Sequence, residues 1–472
     1  MYFIPIRSKR QWQKCNFNKN FKKIIFTSLL CSTFVIQLLG LLTIVVVYTS
    51  LCNKGKDLKR MKVSVMGHGV VGSGVVEVIL MNNEKIVKGN CLDSLEVSHI
   101  LDLRDFPNLT YSDKFTKDFN DILNDDETDI VVETMGGLHP AYEFVKSCLE
   151  KGKSVVTSNK ELVAKYGYEL LNIAKDKNVN FLFEASVGGG IPIIRPISKC
   201  LAGNDFRKVA GILNGTTNFI LTKMIKDNMS LEEALRIAQE KGYAEKDPTN
   251  DIEGFDACRK ICILASLCFG NHVYPDEIST EGITKISLAD VEYAKDYDRV
   301  IKLIGSAEKL ENGEVCAQVS PAMLRTDSPL ASVSDVFNAV MVDGNAVDQV
   351  YFIGKGAGKL ATASAVVADV IDCAVSKETK VNYCWNDHKD GLLVSEKDVP
   401  AQLYVRGFAS DVGAVKKALK EAVGEVTYLC REFAPEDEIA FITSADIRKV
   451  LEDKINSVEG LDIQSVIRLA DF

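Results

Sequence analysis

The sequence predicts an α/β protein with a doubly wound parallel sheet, followed by a second α+β domain and a small C-terminal α+β module. Between residues 61 and 190, short β-branched runs alternate with helical stretches, a pattern typical of a parallel sheet covered on both faces by helices. After residue 190, helices are interspersed with longer strands and loops. Residues 401–472 predict the order strand, helix, strand, strand, helix, strand, which is that of a ferredoxin-like module.

The first sixty residues differ from the rest of the chain. Residues 24–53 carry no charged side chain, and the run SLLCSTFVIQLLGLLTIVVVY is long enough to cross a bilayer. Most of the flanking basic residues precede it, an arrangement that would place everything after Met61 outside the cytosol. We expect instead a reading frame extended upstream of a natural start at Met61, and a cytoplasmic protein. A genuine membrane anchor is the alternative.

Composition limits the possible partners. The 472 residues are 46% hydrophobic and 26% charged, which is enough for several domains with cores. The formal net charge is −9 although residues 1–60 are strongly basic, so the remaining chain is markedly acidic and unsuited to nucleic acid. The thirteen cysteines lack paired or metal-ligand spacing and are expected to be reduced thiols.

A glycine-rich motif follows the first predicted strand, KVSVMG, and opens a helix expected from Val70 to about Met81. The spacing G-x-G-x-x-G would let backbone amides and the helix N-terminus hold a pyrophosphate. We therefore predict a Rossmann-like dinucleotide site, with a purely structural turn as the alternative. His68 is expected to be an incidental exposed residue. The cofactor contacts expected here are Gly67, Gly69, Val70, Val71 and Gly72.

The next strands add further candidate cofactor residues. The second strand ends in DLRD, where an acid could bind a ribose hydroxyl and Arg104 could pair with a 2′-phosphate. NAD and NADP both remain possible, with a slight preference for NADP. In VVETMGG, Thr134 and Gly136 are expected to lie beneath the cofactor. Lys160 follows the strand VVTSN, at the sheet edge where such folds bind ligands, although a solvated surface lysine is the alternative.

The segment GYAEKDPTNDIEGFDACRK carries the densest set of chemical groups. Asp256 and Lys260 are four residues apart and share one helix face. An exposed pair of this kind would contribute only about 0.3 to 0.5 kcal/mol. A lysine held by a carboxylate can instead donate a proton to a carbonyl oxygen as hydride arrives. Glu245 and Asp251 supply carboxylates suited to an ammonium group, or are simply loop and capping acids.

Four motifs occur in the order found in one enzyme family. EASVGGGIPII, GILNGTTNFIL, GYAEKDPTNDIEGFDACRK and GKGAGKLATASAVVADVID resemble the signatures of homoserine dehydrogenases, over residues 61 to about 374. The resemblance implies reversible NAD(P)-dependent interconversion of L-aspartate 4-semialdehyde and L-homoserine, in threonine, methionine and isoleucine biosynthesis. It also implies a homodimer, and the C-terminal module resembles the ACT domain of many members, which suggests an amino-acid effector.

The resemblance assigns roles residue by residue. It implies that Lys260 is catalytic with Asp256 as its partner, that Lys160 positions substrate and handles the proton, and that Glu245 and Asp251 bind substrate. Gly356 would lie beside the nicotinamide. A structural sodium ion would be held by Glu184 and by the carbonyl groups of Val187, Gly189 and Ile191. Two departures concern the loops: Ala361 replaces the usual proline, and ASDVGAV lacks the proline of the module's first turn.

These inferences divide the chain into five parts. We expect an extension at 1–60, a dinucleotide-binding domain at 61–190 completed by about 350–375, a catalytic and dimerisation domain at 191–349, a linker at 376–400 and the module at 401–472. One alternative hypothesis is an aldehyde-oxidising dehydrogenase, which would need a thiolate, for which Cys258 is the candidate. A second alternative hypothesis is a membrane-tethered amino-acid sensor with a non-catalytic dinucleotide domain.

Overall fold

A computed structural model describes residues 59–376 and 383–472. The apolar run at 24–53 lies outside the described residues, so the prediction of an anchor or an extended reading frame stays a prediction. Within the described part of the chain, no helix combines the length and apolar character needed to cross a membrane.

The first domain contains a six-stranded sheet in the order β3-β2-β1-β4-β5-β6. Strand β1 pairs in parallel with β4, as do β4 with β5, β5 with β6, and β2 with β3. The strand order reverses between β1 and β4, and in doubly wound sheets such a reversal places a ligand cleft at the carboxyl ends of the strands. The strands are β1 Lys59–Met66, β2 Leu92–Leu101, β3 Phe115–Thr116, β4 Ile130–Glu133, β5 Ser154–Thr157 and β6 Phe181–Leu182.

The helices of this domain follow the predicted alternation. They are α1 Val70–Gly89, α2 Asn120–Leu123, α3 Ala141–Glu150 and α4 Lys160–Asp176. Helix α1 extends well beyond Met81, because Ile86 is buried and continues the apolar face past the polar run NNEK. The side chain of Asn83 also donates to Leu95 O at 2.7 Å, which fixes this last part of the helix on β2.

The second domain is built on a larger, mostly antiparallel sheet. Its strands are β7 Phe206–Ile212, β8 Ser279–Thr280, β9 Arg299–Lys309, β10 Val315–Arg325, β11 Phe337–Gly344 and β12 Asp348–Lys355. These strands include the order β12-β11-β7-β9-β10, and beyond β10 the sheet continues into the C-terminal module. The helices are α5 Gly215–Asp227, α6 Leu231–Glu240, α7 Thr249–Ile252, α8 Phe255–Phe269 and α9 Leu288–Asp296.

One further helix returns to the first domain, as the sequence predicted. Helix α10, Lys359–Val375, packs against α1. The approach is close at Gly74, where an added Cβ would lie 2.8 Å from Lys359 O. The start of α10 therefore lies beside the glycine-rich loop.

The C-terminal module has the predicted order of elements. These are β15 Leu403–Ala409, α11 Val412–Val423, β16 Thr427–Leu429, β17 Glu438–Ile442, α12 Arg448–Asn456 and β19 Leu461–Ala470, with a short β18 Asp446–Ile447 that pairs with β14 Pro400–Ala401. The strand order β19-β15-β17-β16 is that of a ferredoxin-like sheet. Parallel pairing of β10 with β19 joins it to the second domain.

The connection to the module is anchored at its described end. Residues 377–382 lie outside the description, and β13 Leu393–Val394 pairs with β10. Tyr383 and Trp385 are buried, and Trp385 Nε1 donates to His272 Nδ1 at 2.9 Å. Because His272 Nε2 contacts Ala164 O at 2.8 Å, the connection is bound to α4 as well as to the second domain. The sequence indicated only a polar connection here.

Candidate active site

Asp256 lies between two lysines. Its Oδ2 is 2.7 Å from Lys260 Nζ, and its Oδ1 is 2.7 Å from Lys160 Nζ. Asp256 and Lys260 occupy the first two turns of α8 and are both buried, whereas Lys160 begins α4 and is half-buried. We call these three residues the triad. The predicted pairing of Asp256 with Lys260 is confirmed, and Lys160 joins it from the other domain.

Packing of α8 holds Lys260 in place. The apolar face of the helix, including Ile261 and Leu264, is fully buried. Lys260 Nζ also donates to Leu213 O at 2.8 Å. An ammonium group has three N–H donors, and the described residues account for two of them, so one remains for a ligand.

The charges of the triad influence one another. Burial would raise the pKa of Asp256, but the two ammonium groups outweigh burial and hold that pKa well below its usual range. Asp256 raises the pKa of Lys160 above its ordinary value, whereas burial lowers the pKa of Lys260. Lys260 is thus the more readily deprotonated of the two lysines. This order favours Lys260 as the proton donor.

The triad faces a cavity of about 1120 Å³ that both domains line. Lys160 and Lys260 line it together with Glu245, Asp251 and Arg259 from the second domain. Glu245 is exposed, and Asp251 is half-buried. The other predicted residues that line the cavity are Val71, Thr134, Gly136, Val187, Gly189 and Gly356.

The glycine-rich loop has the geometry that its spacing requires. Gly67 has a positive φ of +93°, and its N–H donates to Leu101 O at 2.8 Å. At Gly72 an added Cβ would lie 1.9 Å from Gly67 O, so only glycine fits. Thr134 Oγ1 donates to Gly67 O at 3.0 Å and thereby ties the loop to the end of β4. Gly69 and Val70 then lead into the N-terminus of α1.

The acid and the arginine that follow β2 bind each other, whereas the sequence suggested that one or the other would bind the cofactor. Asp102 accepts from His68 N at 2.8 Å and from Arg104 Nε and Nη2 at 3.0 and 2.8 Å. Both carboxylate oxygens are therefore engaged by the protein. The Arg104 side chain is 63% exposed and presents its outer face to solvent beside the glycine-rich loop.

The expectation of an exposed His68 is wrong. The imidazole is buried, and it stacks on Phe106 with ring centroids 4.8 Å apart and contacts Phe115 at 5.0 Å. Burial lowers the pKa of His68, so the ring is neutral near pH 7. The aromatic side chains that follow β2 form this pocket. Because they are far from His68 along the chain, no local sequence pattern predicted that His68 is buried.

The carboxylate of Glu184 is bound by backbone N–H groups at the start of the following helical turn. Its oxygens accept from the backbone N–H groups of Ile193, Ile194 and Arg195 at 2.5, 2.8 and 2.8 Å. Within the described residues, no group of three or more His, Cys, Asp or Glu side chains is arranged to hold a metal ion. The sodium site implied by the family resemblance stays a prediction.

Two further residues bear on the chemistry. Cys258 lies on a buried face of α8, where its Sγ is 3.6 Å from Pro275 O, and it does not line the cavity. This position keeps the thiol out of the cavity, where an aldehyde-oxidising enzyme would need a thiolate.

Asn214 donates to both Asp251 and Asp256, and the sequence analysis did not identify it as a site residue. Its place before a helix could have predicted a helix cap but not these contacts.

Comparison with known proteins agrees with this geometry. Residues 67–184 match the family model described as homoserine dehydrogenase, NAD binding domain, and residues 192–371 match the homoserine dehydrogenase model. A homoserine dehydrogenase of Lactococcus lactis is 39% identical over 422 residues, covering 86% of this chain and 95% of that protein.

Solved structures give the same result. A homoserine dehydrogenase from Thiobacillus denitrificans has a TM-score of 0.78 and 33% identity, covering 87% of this chain and 98% of that one. A hyperthermophilic archaeal homoserine dehydrogenase in complex with NADPH has a TM-score of 0.57 and 29% identity, covering 67% of this chain and 98% of that one. The chain belongs to the homoserine dehydrogenase family of NAD(P)-dependent oxidoreductases.

Proposed function

We propose that the protein interconverts L-aspartate 4-semialdehyde and L-homoserine, with Lys260 as the proton donor in the reducing direction. The observation that carries the proposal is the triad itself: two ammonium groups share one buried carboxylate and line the same cavity as Val71 and Gly136. A domain that only bound a dinucleotide, as in an amino-acid sensor, would have no use for this arrangement.

The residues of the triad, together with Glu245 and Asp251, then each have a role in the reaction. The nicotinamide cofactor, when bound, supplies or accepts the hydride. Lys260 directs its remaining N–H toward the aldehyde oxygen and neutralises the forming alkoxide, directly or through water. Lys160 keeps Asp256 ionised and orients the substrate. Glu245 and Asp251 bind the substrate ammonium group.

The cofactor preference that we propose is NADP. The carboxylate of Asp102 is already bound by His68 N–H and by Arg104, which weakens its ability to accept a ribose 2′-hydroxyl. The exposed guanidinium of Arg104 can pair with a 2′-phosphate, which such planar groups bind well. One solved relative holds NADPH.

The remaining proposals concern the cation, the module and assembly. We propose a structural sodium ion bound by Glu184 and by the main-chain carbonyl oxygens of Val187, Gly189 and Ile191. An added Cβ at Gly189 would lie 2.1 Å from Gly356 O, so this turn supports the loop beside the nicotinamide. The ferredoxin-like strand order of residues 401–472 supports an ACT-type regulatory module. A cytoplasmic homodimer, with the domain boundaries given above, completes the proposal.

The test is turnover of the purified full chain. The protein should oxidise NADPH with L-aspartate 4-semialdehyde, whereas succinic semialdehyde should be a poor substrate. The second aldehyde has the same carbon chain but lacks the ammonium group that Glu245 and Asp251 would bind. Equal turnover of the two aldehydes would contradict the roles given to these carboxylates, and no turnover of either would contradict the proposed reaction.

A further inference from the structure

Asn214 connects parts of the cavity that come from distant stretches of the chain. It lies between β7 and α5 and is 5% exposed. Its Nδ2 donates to Asp251 Oδ1 at 2.7 Å and to Asp256 Oδ2 at 2.9 Å. Its Oδ1 accepts from Thr217 N at 2.8 Å and thereby caps α5.

The hydrogen bonds fix the orientation of the amide. A primary amide has two N–H donors and an oxygen that accepts twice, and all four are used, because Thr217 Oγ1 also contacts Oδ1 at 3.0 Å. A flipped amide would place its oxygen against two carboxylates and its nitrogen against a backbone N–H. The donors of Asn214 therefore point at Asp251 and Asp256.

The amide of Asn214 donates to two carboxylates that lie close together. Asp251 and Asp256 repel each other, and burial together with the charge of Asp256 raises the pKa of Asp251 above its ordinary value. Asn214, Lys260 and Lys160 act in the opposite direction and favour the ionised form of Asp251. Because Asp256 Oδ2 also accepts from Lys260, the amide fixes the distance between Asp251 and the ammonium group of Lys260.

We infer that Asn214 is a positioning residue, whose amide holds the substrate-binding carboxylate of Asp251 in register with the Asp256–Lys260 pair. The inference rests on the roles proposed above for Asp251 and Lys260. Asn214 itself need not touch the reacting atoms. It keeps the group that binds the substrate ammonium at a fixed separation from the group that protonates the aldehyde oxygen.

The variants Asn214→Ser and Asn214→Asp separate this role from helix capping. Serine, aspartate and asparagine are comparable N-cap residues, so both variants should keep α5. Serine lacks the two N–H donors, and aspartate replaces them with a third carboxylate. We expect kcat/KM for L-aspartate 4-semialdehyde to fall about 10- to 100-fold in Asn214→Ser, because a small displacement of reacting groups has an effect of this size. The loss in Asn214→Asp should be larger.

The pH profile gives a readout that capping alone would not change. In Asn214→Ser the acid limb of kcat/KM should move to higher pH, because Asp251 loses a donor that favours its ionised form. The dissociation constant for NADPH should stay within about twofold of wild type. Ser230→Asp is the matched control for Asn214→Asp, because it adds the same negative charge at the N-cap of α6, away from the triad.

The outcomes separate the inference from the proposed reaction. Wild-type kcat/KM and an unchanged pH profile in Asn214→Asp would reduce Asn214 to a helix cap and overturn the inference. An inactive wild type would overturn the proposed reaction instead. In that case the difference in Tm between wild type and Asn214→Ser still tests the contact, since it should be larger above the raised pKa of Asp251, where the carboxylate is ionised, than below that pKa. A difference independent of pH would contradict the contact.

Discussion

Lys160 and Asp256 join the two domains across the cavity, with Lys160 Nζ 2.7 Å from Asp256 Oδ1. Lys160 begins a helix of the first domain, and Asp256 lies in the first turn of a helix of the second. The same carboxylate holds Lys260, so the position of the proton donor depends on how the two domains are arranged.

Replacement of Lys160 by alanine should therefore impair turnover more than folding. We expect kcat/KM for L-aspartate 4-semialdehyde to fall about 10²- to 10⁴-fold, because both substrate orientation and the support of Asp256 are lost. Steady-state kinetics measure this effect. Lys165→Ala, which removes an exposed lysine from the same helix, should leave the rate unchanged. Similar rates in the two variants would show that the ion pair has no role in turnover.

Arg104 should determine the choice of cofactor. Without its guanidinium, Arg104→Ala should raise KM for NADPH about 10- to 100-fold, the range expected for a charge-assisted hydrogen bond, and change KM for NADH about twofold at most. Parallel assays with the two cofactors measure the ratio. Lys85→Ala, which removes an exposed lysine from α1, is the control. An equal loss with both cofactors would mean that Arg104 contacts no 2′-phosphate.

The rate of aldehyde reduction should depend on pH with two limbs. Burial lowers the pKa of Lys260 below 10.5, and because the proton donor must be charged, kcat/KM should decline as pH rises through that lowered pKa. Burial raises the pKa of Asp251 above 3.8, and because this carboxylate must be ionised to bind ammonium, kcat/KM should also decline as pH falls through that raised pKa. Homoserine oxidation needs neutral Lys260, so its optimum should be more alkaline. The same optimum in both directions would exclude Lys260 as the titrating group.

The C-terminal module should depend on a buried ion pair for its attachment. Asp290 Oδ1 lies 2.8 Å from Arg406 Nε and accepts from Tyr404 OH at 3.0 Å, and both Asp290 and Arg406 are buried. Asp290→Asn removes the nearer of two carboxylates that pair with Arg406, because Glu438 Oε2 lies 3.7 Å from Arg406 Nη1. We therefore expect the free energy of unfolding to fall by about 1.5 to 3 kcal/mol, the range for a hydrogen bond to a charged group. The exposed pair of Arg325 with Asp327 is the control, and Asp327→Asn should cost at most about 1 kcal/mol. Urea denaturation measures both, and equal losses would contradict the buried attachment.

The sequence predicted most elements because the local patterns were strong. The strand-loop-helix order at Gly67–Gly72 and the spacing of Asp256 and Lys260 follow from local geometry, and both are confirmed. The end of α1 was placed too early because polar residues interrupt its pattern before the buried Ile86.

Contacts between distant residues were less accessible. The engagement of Glu184 by three backbone N–H groups, the burial of His68 and the contacts of Asn214 arise only from tertiary packing, and no short-range pattern encodes them. The pairing of Lys160 with Asp256 likewise needs both domains. The family motifs indicated Lys160, Asp256 and Lys260 one by one, whereas the structure shows how these three residues contact one another.

The central claim is that the ammonium group of Lys260 donates the proton to the aldehyde oxygen. Lys260→Met keeps most of the side-chain volume and leaves Asp256 paired with Lys160, so the fold and the glycine-rich loop should persist. The direct measurement is the rate of NADPH oxidation by this variant with L-aspartate 4-semialdehyde, alongside its dissociation constant for NADPH. We predict a loss of about 10²- to 10⁴-fold in kcat with unchanged NADPH affinity. A variant that binds NADPH normally and keeps most of the wild-type rate would contradict the account.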